Sequence, residues 1–413
     1  MKRLSELDGI RGLAVAAVIA HHFVPVVGLG IGRNLFFLAL YRFVHPGWLG
    51  VDIFFVLSGF LITGIIVKER NERNFWSNFY LRRAFRILPA FFAVFIITLA
   101  AAHFFAPDIP IRLNYVLPAI FFMANWTVVG LHEMPMLTHL WSLAVEEQFY
   151  FLWPQAAKRM SNSLLFKLAL WLAVGSVLCR FVLALFHTNP YVLYKITPPR
   201  IDGLCLGAAL AIGLNLPGVR HFLERWWRTI ALVAFLLLPA AFLALHGSLF
   251  VFNPWSQVLA IPPAEVLTAM LIYGAVESKL PAGLKLFFGN PVMTYLGRRS
   301  YALYLIHDPV QVAVELSRAH GYLAKLPQGI GMNLLLIAST IALSLVLTEL
   351  SWRVIESPAQ ELRRRLMRNR EDGTGQHPTE EMLITQLARE DQAMPEAIQT
   401  PPLKGAIIST VDK

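Results

Sequence analysis

The stretch LDGIRGLAVAAVIAHHF, residues 7–23, decides how the chain is read. It is apolar enough for a helix in hydrocarbon, yet it carries an acid and an arginine at one end and two adjacent histidines at the other. At 100° per residue Arg11 and His22 lie within about 20° of three full turns, so they share a face, roughly 16 Å apart along the axis. His21 falls about 80° around from Arg11, on a different face. Ionisable groups inside a membrane span cost about 2.5–3.5 kcal/mol each on insertion scales, so a chain that keeps them is using them or pairing them.

Composition puts this helix in a membrane. Of 413 residues, 56% are hydrophobic and 15% are charged, and the mean hydropathy is +0.55, far from the balance of a soluble domain. Apolar runs of about 20 residues, the length that crosses a ~30 Å hydrocarbon core, recur along the chain. They fall at 10–29, 48–67, 87–105, 139–157, 164–186, 201–215, 230–246, 258–277, 294–317 and 331–355. The expected fold is therefore all-α, a polytopic bundle of about ten transmembrane helices in the lipid bilayer. No cleaved leader is expected, because the first apolar run follows MKRLSELDGIR without a small-residue cleavage site. Cys179 and Cys205 form no CxxC pair, which argues against a disulfide framework and against a thiolate metal site.

The net charge of +10 matters here through its distribution, and it does not imply a nucleic-acid partner. Lys and Arg crowd the amino-terminal segment and every second connection, including Lys68, Arg70, Arg73, Arg82, Arg83 and Arg86, and later Arg363, Arg364 and Arg365. The intervening loops hold scattered ones such as Arg33, Arg112 and Lys195. By the positive-inside rule both termini face the cytoplasm. The segment YVLPAIFFMANW, 115–126, is apolar enough to tempt an eleventh span, but counting it would place the later basic loops outside. It is expected to be re-entrant or interfacial. The domain boundaries follow: a transmembrane domain over 1–362 and a polar, aperiodic tail over 363–413 expected to be disordered in the cytoplasm. No inverted repeat of the transporter kind is evident.

Polar residues recur within the other apolar runs. GWLGVDIFFVLSGFLITG, 47–64, carries Asp52 and Ser58 among glycines suited to close helix packing. YLRRAFRILP, 80–89, puts Arg83 and Arg86 on one face, either as a positive-inside anchor or as an anion site, since guanidinium forks suit phosphate. HLWSLAVEEQFYFLWP, 139–154, places His139, Ser142, Glu146 and Gln148 among aromatics, with Ser142 and Glu146 four residues apart on one face. Glu146 could serve chemistry or pair with a buried arginine. PPRIDGLCLGAALA, 198–211, adds Arg200 and Asp202 at a helix start, and LGRRSYALYLIHDP, 296–309, adds His307. The bland alternative for His22 is a ring satisfied by a backbone carbonyl.

In this order, LDGIRGLAV with its Arg-x10-His spacing, GVDIFFVLSGFLIT, FYLRRAFRILP, HLWSLAVEEQFYFLWP, RIDGLCLGAALA, LGRRSYALYLIH and VIESP resemble the motifs of the acyltransferase-3 family of membrane O-acyltransferases. The resemblance covers residue 4 to about 358. It implies a bacterial cytoplasmic-membrane enzyme, without a bound cofactor, that moves an acyl group, most often acetyl, from cytoplasmic acyl-CoA to a hydroxyl of an extracytoplasmic carbohydrate such as O-antigen or exopolysaccharide. Envelope-glycan biosynthesis enzymes would be its partners. His22 then matches the family's catalytic histidine, with Glu146 assisting; Arg11, Arg83 and Arg86 would bind the donor. Asp8, Ser58, Ser142, Arg200, Asp202 and His307 would bind substrate or support the site. The tail has no GDS-type serine motif, so transfer is expected to finish within the membrane domain. A transporter or flippase with an intramembrane Arg, Glu and His pathway is the alternative that burial alone leaves open.

Overall fold

A computed structural model describes residues 4–26, 35–107, 110–130, 133–319 and 330–373. Within the described residues, outside which 27–29 of the first run lie, each apolar run read from the sequence coincides with a helix: α1 (Ser5–Val26), α2 (Gly50–Glu69), α3 (Phe75–Phe105), α4 (Leu140–Arg159), α5 (Asn162–Leu185), α6 (Asp202–Gly213), α7 (Pro217–Ala244), α8 (Pro254–Val276), α9 (Pro291–Ala319) and α10 (Ile330–Ser351). Shorter helices lie at Leu35–Val44, Leu113–Ile120, Pro190–Lys195 and Ala282–Gly289, and no strand occurs among the described residues. Local chemistry sets several starts. Ser161 caps α5 by accepting the Leu164 N–H at 3.3 Å, and Asn253 caps α8 by accepting the Trp255 N–H at 3.0 Å with Pro254 in the first position.

Six helical stretches among the described residues are long and apolar enough to cross a membrane. The helices outside that set include α4 and α9, which carry charged side chains among their apolar ones, and α6. With 12 residues, α6 is about 18 Å long and falls short of a ~30 Å core. It is buried along almost its whole length, so neighbouring helices, not lipid, surround it.

Two close approaches hold the centre. A Cβ added at Gly297 of α9 would lie 1.7 Å from the carbonyl oxygen of Asp8 on α1, and one added at Gly59 of α2 would lie 1.9 Å from that of Leu204 on α6. Only glycine lets these backbones touch. The first contact lays α9 along the helix that carries Arg11 and His22. The second sets α6 against α2, bringing the residues before α6 toward Asp52.

The segment 115–126 forms an eight-residue helix, Leu113–Ile120, and part of a turn at Ala124–Gly130. Eight residues rise about 12 Å, too little to cross. Gln148 of α4 holds the turn by donating to the Phe122 carbonyl and to Asn125 Oδ1, both at 2.9 Å, while Thr197 donates to Gln148 Oε1 at 2.5 Å. A polar residue in the middle of an apolar helix is thus consumed in fastening a loop.

Contacts divide the chain into one unit over Met1–Gln360 and another over Glu361–Lys413. The last helix runs over Ser357–Gly373, so residues 363–373, which composition assigns to the tail, are helical. The rest of the expected tail, 374–413, lies outside the described residues.

The glycine contacts have a measurable consequence. Gly297→Ala should destabilise the detergent-solubilised protein by roughly 1–3 kcal/mol through overpacking. Gly175→Ala, at a site with nothing within 4 Å, should leave it unchanged or stabilise it by up to about 1 kcal/mol. Thermal melting of the two variants beside the parent checks the contrast.

Candidate active site

Residues far apart in sequence converge on an inner cavity of about 90 Å³. Arg11 comes from α1, Ser58 from α2, Arg83 and Arg86 from α3, and Ser142 and Glu146 from α4. Arg86 is exposed and Arg83 half-buried, so cationic charge continues from the cavity to the surface. Arg83 lies 5.0 Å from the ring centre of Tyr150, and Arg11 lies 3.9 Å from Asp8. Glu146 is held by two donors, the Ser58 hydroxyl at 3.0 Å and the Tyr150 hydroxyl at 3.2 Å. Three guanidinium groups aimed at one small cavity suit a polyanion at its mouth.

His22 lines a second chamber of about 180 Å³, with His21, His139, Trp48, Trp141, Tyr194 and Lys195 among its walls. Val51 and Tyr304 border both spaces, so the cavity of Arg11 and the chamber of His22 are neighbours. Tyr304 is latched at the junction: its hydroxyl lies 2.5 Å from Ser142 Oγ and donates to the His139 carbonyl at 3.3 Å.

The imidazole tautomers follow from their partners. A carbonyl can only accept, so His22 Nδ1, 2.9 Å from the Val18 carbonyl, carries the proton and Nε2 keeps the lone pair. The carbonyl contact that satisfies the ring thereby also prepares a base. His307 Nδ1 donates to the Tyr304 carbonyl at 2.6 Å, and His139 Nδ1 faces Asp308 Oδ2 at 2.9 Å. His307 packs edge-on against His22, with ring centres 4.9 Å apart, and against His139 at 5.6 Å.

Glu146 and His22 line different cavities, and no hydrogen bond joins them among the described residues. The carboxylate beside an imidazole is Asp308, a residue the sequence reading passed over although an acid within an apolar helix was its signal. His139 stood out in sequence only as one polar group among several.

Arg200 and Asp202 lie at neither cavity. Arg200 has no exposure; its guanidinium is 2.8 Å from Asp52 and 4.7, 5.4 and 5.6 Å from the ring centres of Tyr194, Trp141 and Phe55. Asp202 pairs with the buried Arg180 of α5 at 2.5 Å and accepts from Ser176 at 3.4 Å. Glu265 of α8 packs against Gly203 in the same cluster. Arg200, Asp52, Arg180 and Asp202 are all buried and paired with one another between helices. Arg180 and Glu265 escaped the sequence reading because nothing local marks them as partners.

Comparison with known proteins agrees with the motif order. A family model described as an acyltransferase domain matches residues 4–349. The peptidoglycan O-acetyltransferase OatA of Listeria monocytogenes is 28% identical over 374 residues, covering 86% of this chain and 56% of the relative. The O-acetyltransferase OatA of Staphylococcus aureus strain NCTC 8325 is 25% identical over 386 residues, covering 86% and 57%. The chain therefore spans little more than half the length of these relatives. No solved structure matches it significantly.

Removing one member of a buried ion pair strands the other charge, at about 3–5 kcal/mol. Asp52→Ala should accordingly lower the melting temperature and folded yield in membranes sharply; a variant that melts like the parent would show that the aromatic rings alone hold Arg200.

Proposed function

The chain belongs to the acyltransferase-3 family, and from that premise we propose that it is an integral membrane O-acyltransferase carrying an acetyl group from cytoplasmic acyl-CoA to a hydroxyl of an extracytoplasmic glycan. The observation that carries this is the convergence of Arg11, Arg83 and Arg86 on a cavity that shares Val51 and Tyr304 with the chamber of His22. The Lys and Arg distribution supports a topology with both termini and the arginine end in the cytoplasm of a bacterial cell membrane. The donor phosphates then rest at the mouth on Arg83 and Arg86, where charge-assisted hydrogen bonds suit them. Acetyl is the acyl group that the O-acetyltransferase names of the relatives point to.

His22 meets the acceptor in the outer chamber. Its Nε2 lone pair takes the hydroxyl proton while the hydroxyl oxygen attacks the thioester carbonyl; the new C–O bond forms, the C–S bond breaks, and coenzyme A leaves as thiolate. Aromatic walls with a few polar groups, including the Lys195–Glu133 pair at 2.6 Å, suit a sugar ring. The Listeria relative's name points to peptidoglycan, so among envelope glycans, O-antigen and exopolysaccharide included, peptidoglycan is the first acceptor to assay. Glu146 fixes Ser58 and Tyr150 beside the donor in this scheme.

His22→Ala should lower acyl transfer in membranes by about 10²-fold or more, measured by mass spectrometry of peptidoglycan and lipopolysaccharide fractions for the loss of an acetyl increment. Unchanged acylation would sink the assignment. Arg86→Gln should raise the donor KM by about tenfold or more, the loss of one hydrogen bond to a charged group, with kcat little changed; steady-state kinetics on acyl-CoA separates the two constants. Solute uptake into proteoliposomes without acyl-CoA consumption would instead point to a transporter.

A further inference from the structure

Beyond His22, the structure holds a group of buried titratable side chains that the transfer step does not use. His139 and His307 are 4% and 0% exposed, and Asp308 is 4% exposed. The Nε2 atoms of His139 and His307 are both buried without a hydrogen-bond partner. Leaving one such atom unsatisfied costs about 1–3 kcal/mol, and two side by side ask for an explanation. Their Nδ1 atoms are committed to Asp308 and to the Tyr304 carbonyl, so both Nε2 atoms carry lone pairs and neither can donate to the other. A single added proton would satisfy both at once, as a donor on one ring and an acceptor on the other. Their ring centres stand 5.6 Å apart, edge to face, so a ring turn that brings the two Nε2 atoms together would form that bond, and the Asp308 carboxylate beside His139 balances the charge.

We propose that His307, His139 and Asp308 form a proton relay behind His22, which takes the acceptor's proton from His22 and holds it between the two buried imidazoles. This rests on the acyltransferase reading above. The acceptor O–H bond breaks and its proton goes to His22 Nε2. It passes to His307 Nε2, whose ring centre is 4.9 Å from that of His22, and settles between His307 and His139 against Asp308. The departing thiolate takes a proton from cytoplasmic water, and the stored proton returns through His22 to the chamber after the ester leaves. With the proton withdrawn, His22 no longer holds it next to the new ester. The titratable groups that face the relay are His22 from α1, His139 at the start of α4, Tyr304 and Asp308 from α9, and Tyr115 from the helix Leu113–Ile120, whose charge couples to Asp308.

The relay residues act through His22 and are positioning residues, so the test needs readouts that lost packing would not produce. In membranes containing 15N-histidine-labelled protein, solid-state NMR across a pH titration should show one imidazolium sharing a proton between two Nε2 atoms, absent in His139→Gln and in Asp308→Asn and restored in Asp308→Glu. In kinetics, both loss variants should lower kcat for acyl transfer about tenfold, leave the donor KM within twofold, and recover in Asp308→Glu. Absence of the shared imidazolium from the wild type overturns the relay. So does transfer at wild-type kcat by His139→Gln and Asp308→Asn, and that result leaves the enzymatic reading standing. A wild-type protein that shows the shared imidazolium yet transfers no acyl group overturns the enzymatic reading and the relay's part in transfer with it.

Discussion

Arg200 has no exposure at all, and what keeps it there organises the rest of the molecule. Its guanidinium faces Asp52 at 2.8 Å and stands among the rings of Tyr194, Trp141 and Phe55, cation–π contacts that are strongest where water is excluded. A second pair, Arg180 with Asp202 at 2.5 Å, ties α5 to the start of α6. Together they lock the short, buried α6 against α2, the helix that carries Ser58 and Val51 into the inner cavity. Removing either member of a buried pair strands the other charge, so the two pairs fix which helix segments must meet here.

Around that anchor, the polar residues of the bundle sort by what their partners leave open. Gln148, Asn125 and Thr197 satisfy one another and fasten a loop. Glu146 is fully engaged by Ser58 and Tyr150, which suits a group that shapes a cavity. The imidazoles differ. Each has one nitrogen spent and one in reserve, and reserve capacity is what chemistry draws on. Tyr304 sits where the two regimes meet, with its hydroxyl latched to Ser142 and its side chain bordering both cavities.

Much of the fold was legible in the sequence because it depends on length and hydropathy. The apolar runs fall on helices, and the charge asymmetry already argued against a span at 115–126, where the structure has only an eight-residue helix. The 201–215 run was read as a full span, while the helix there covers 12 residues: composition cannot tell a helix buried by protein from one buried by lipid. Arg11, Ser58, Arg83, Arg86, Ser142 and Glu146 were all singled out in sequence as polar groups that an apolar helix has to justify, and they line one cavity. Asp308 and Arg180 were missed because their meaning lies in a partner well over a hundred residues away or on another helix.

By itself, then, the sequence determined that this is a helical membrane protein, which residues had to be used or paired, and that Arg11 and His22 share a face of α1, since those follow from hydropathy and a 3.6-residue period. The tertiary structure decided which partner each polar residue meets. It paired Arg200 with Asp52 and Asp202 with Arg180, separated Glu146 from His22, and set Asp308 beside His139, because contacts between helices depend on backbone approach at Gly59 and Gly297 and on the pairing of buried charge, neither of which has a local period to read.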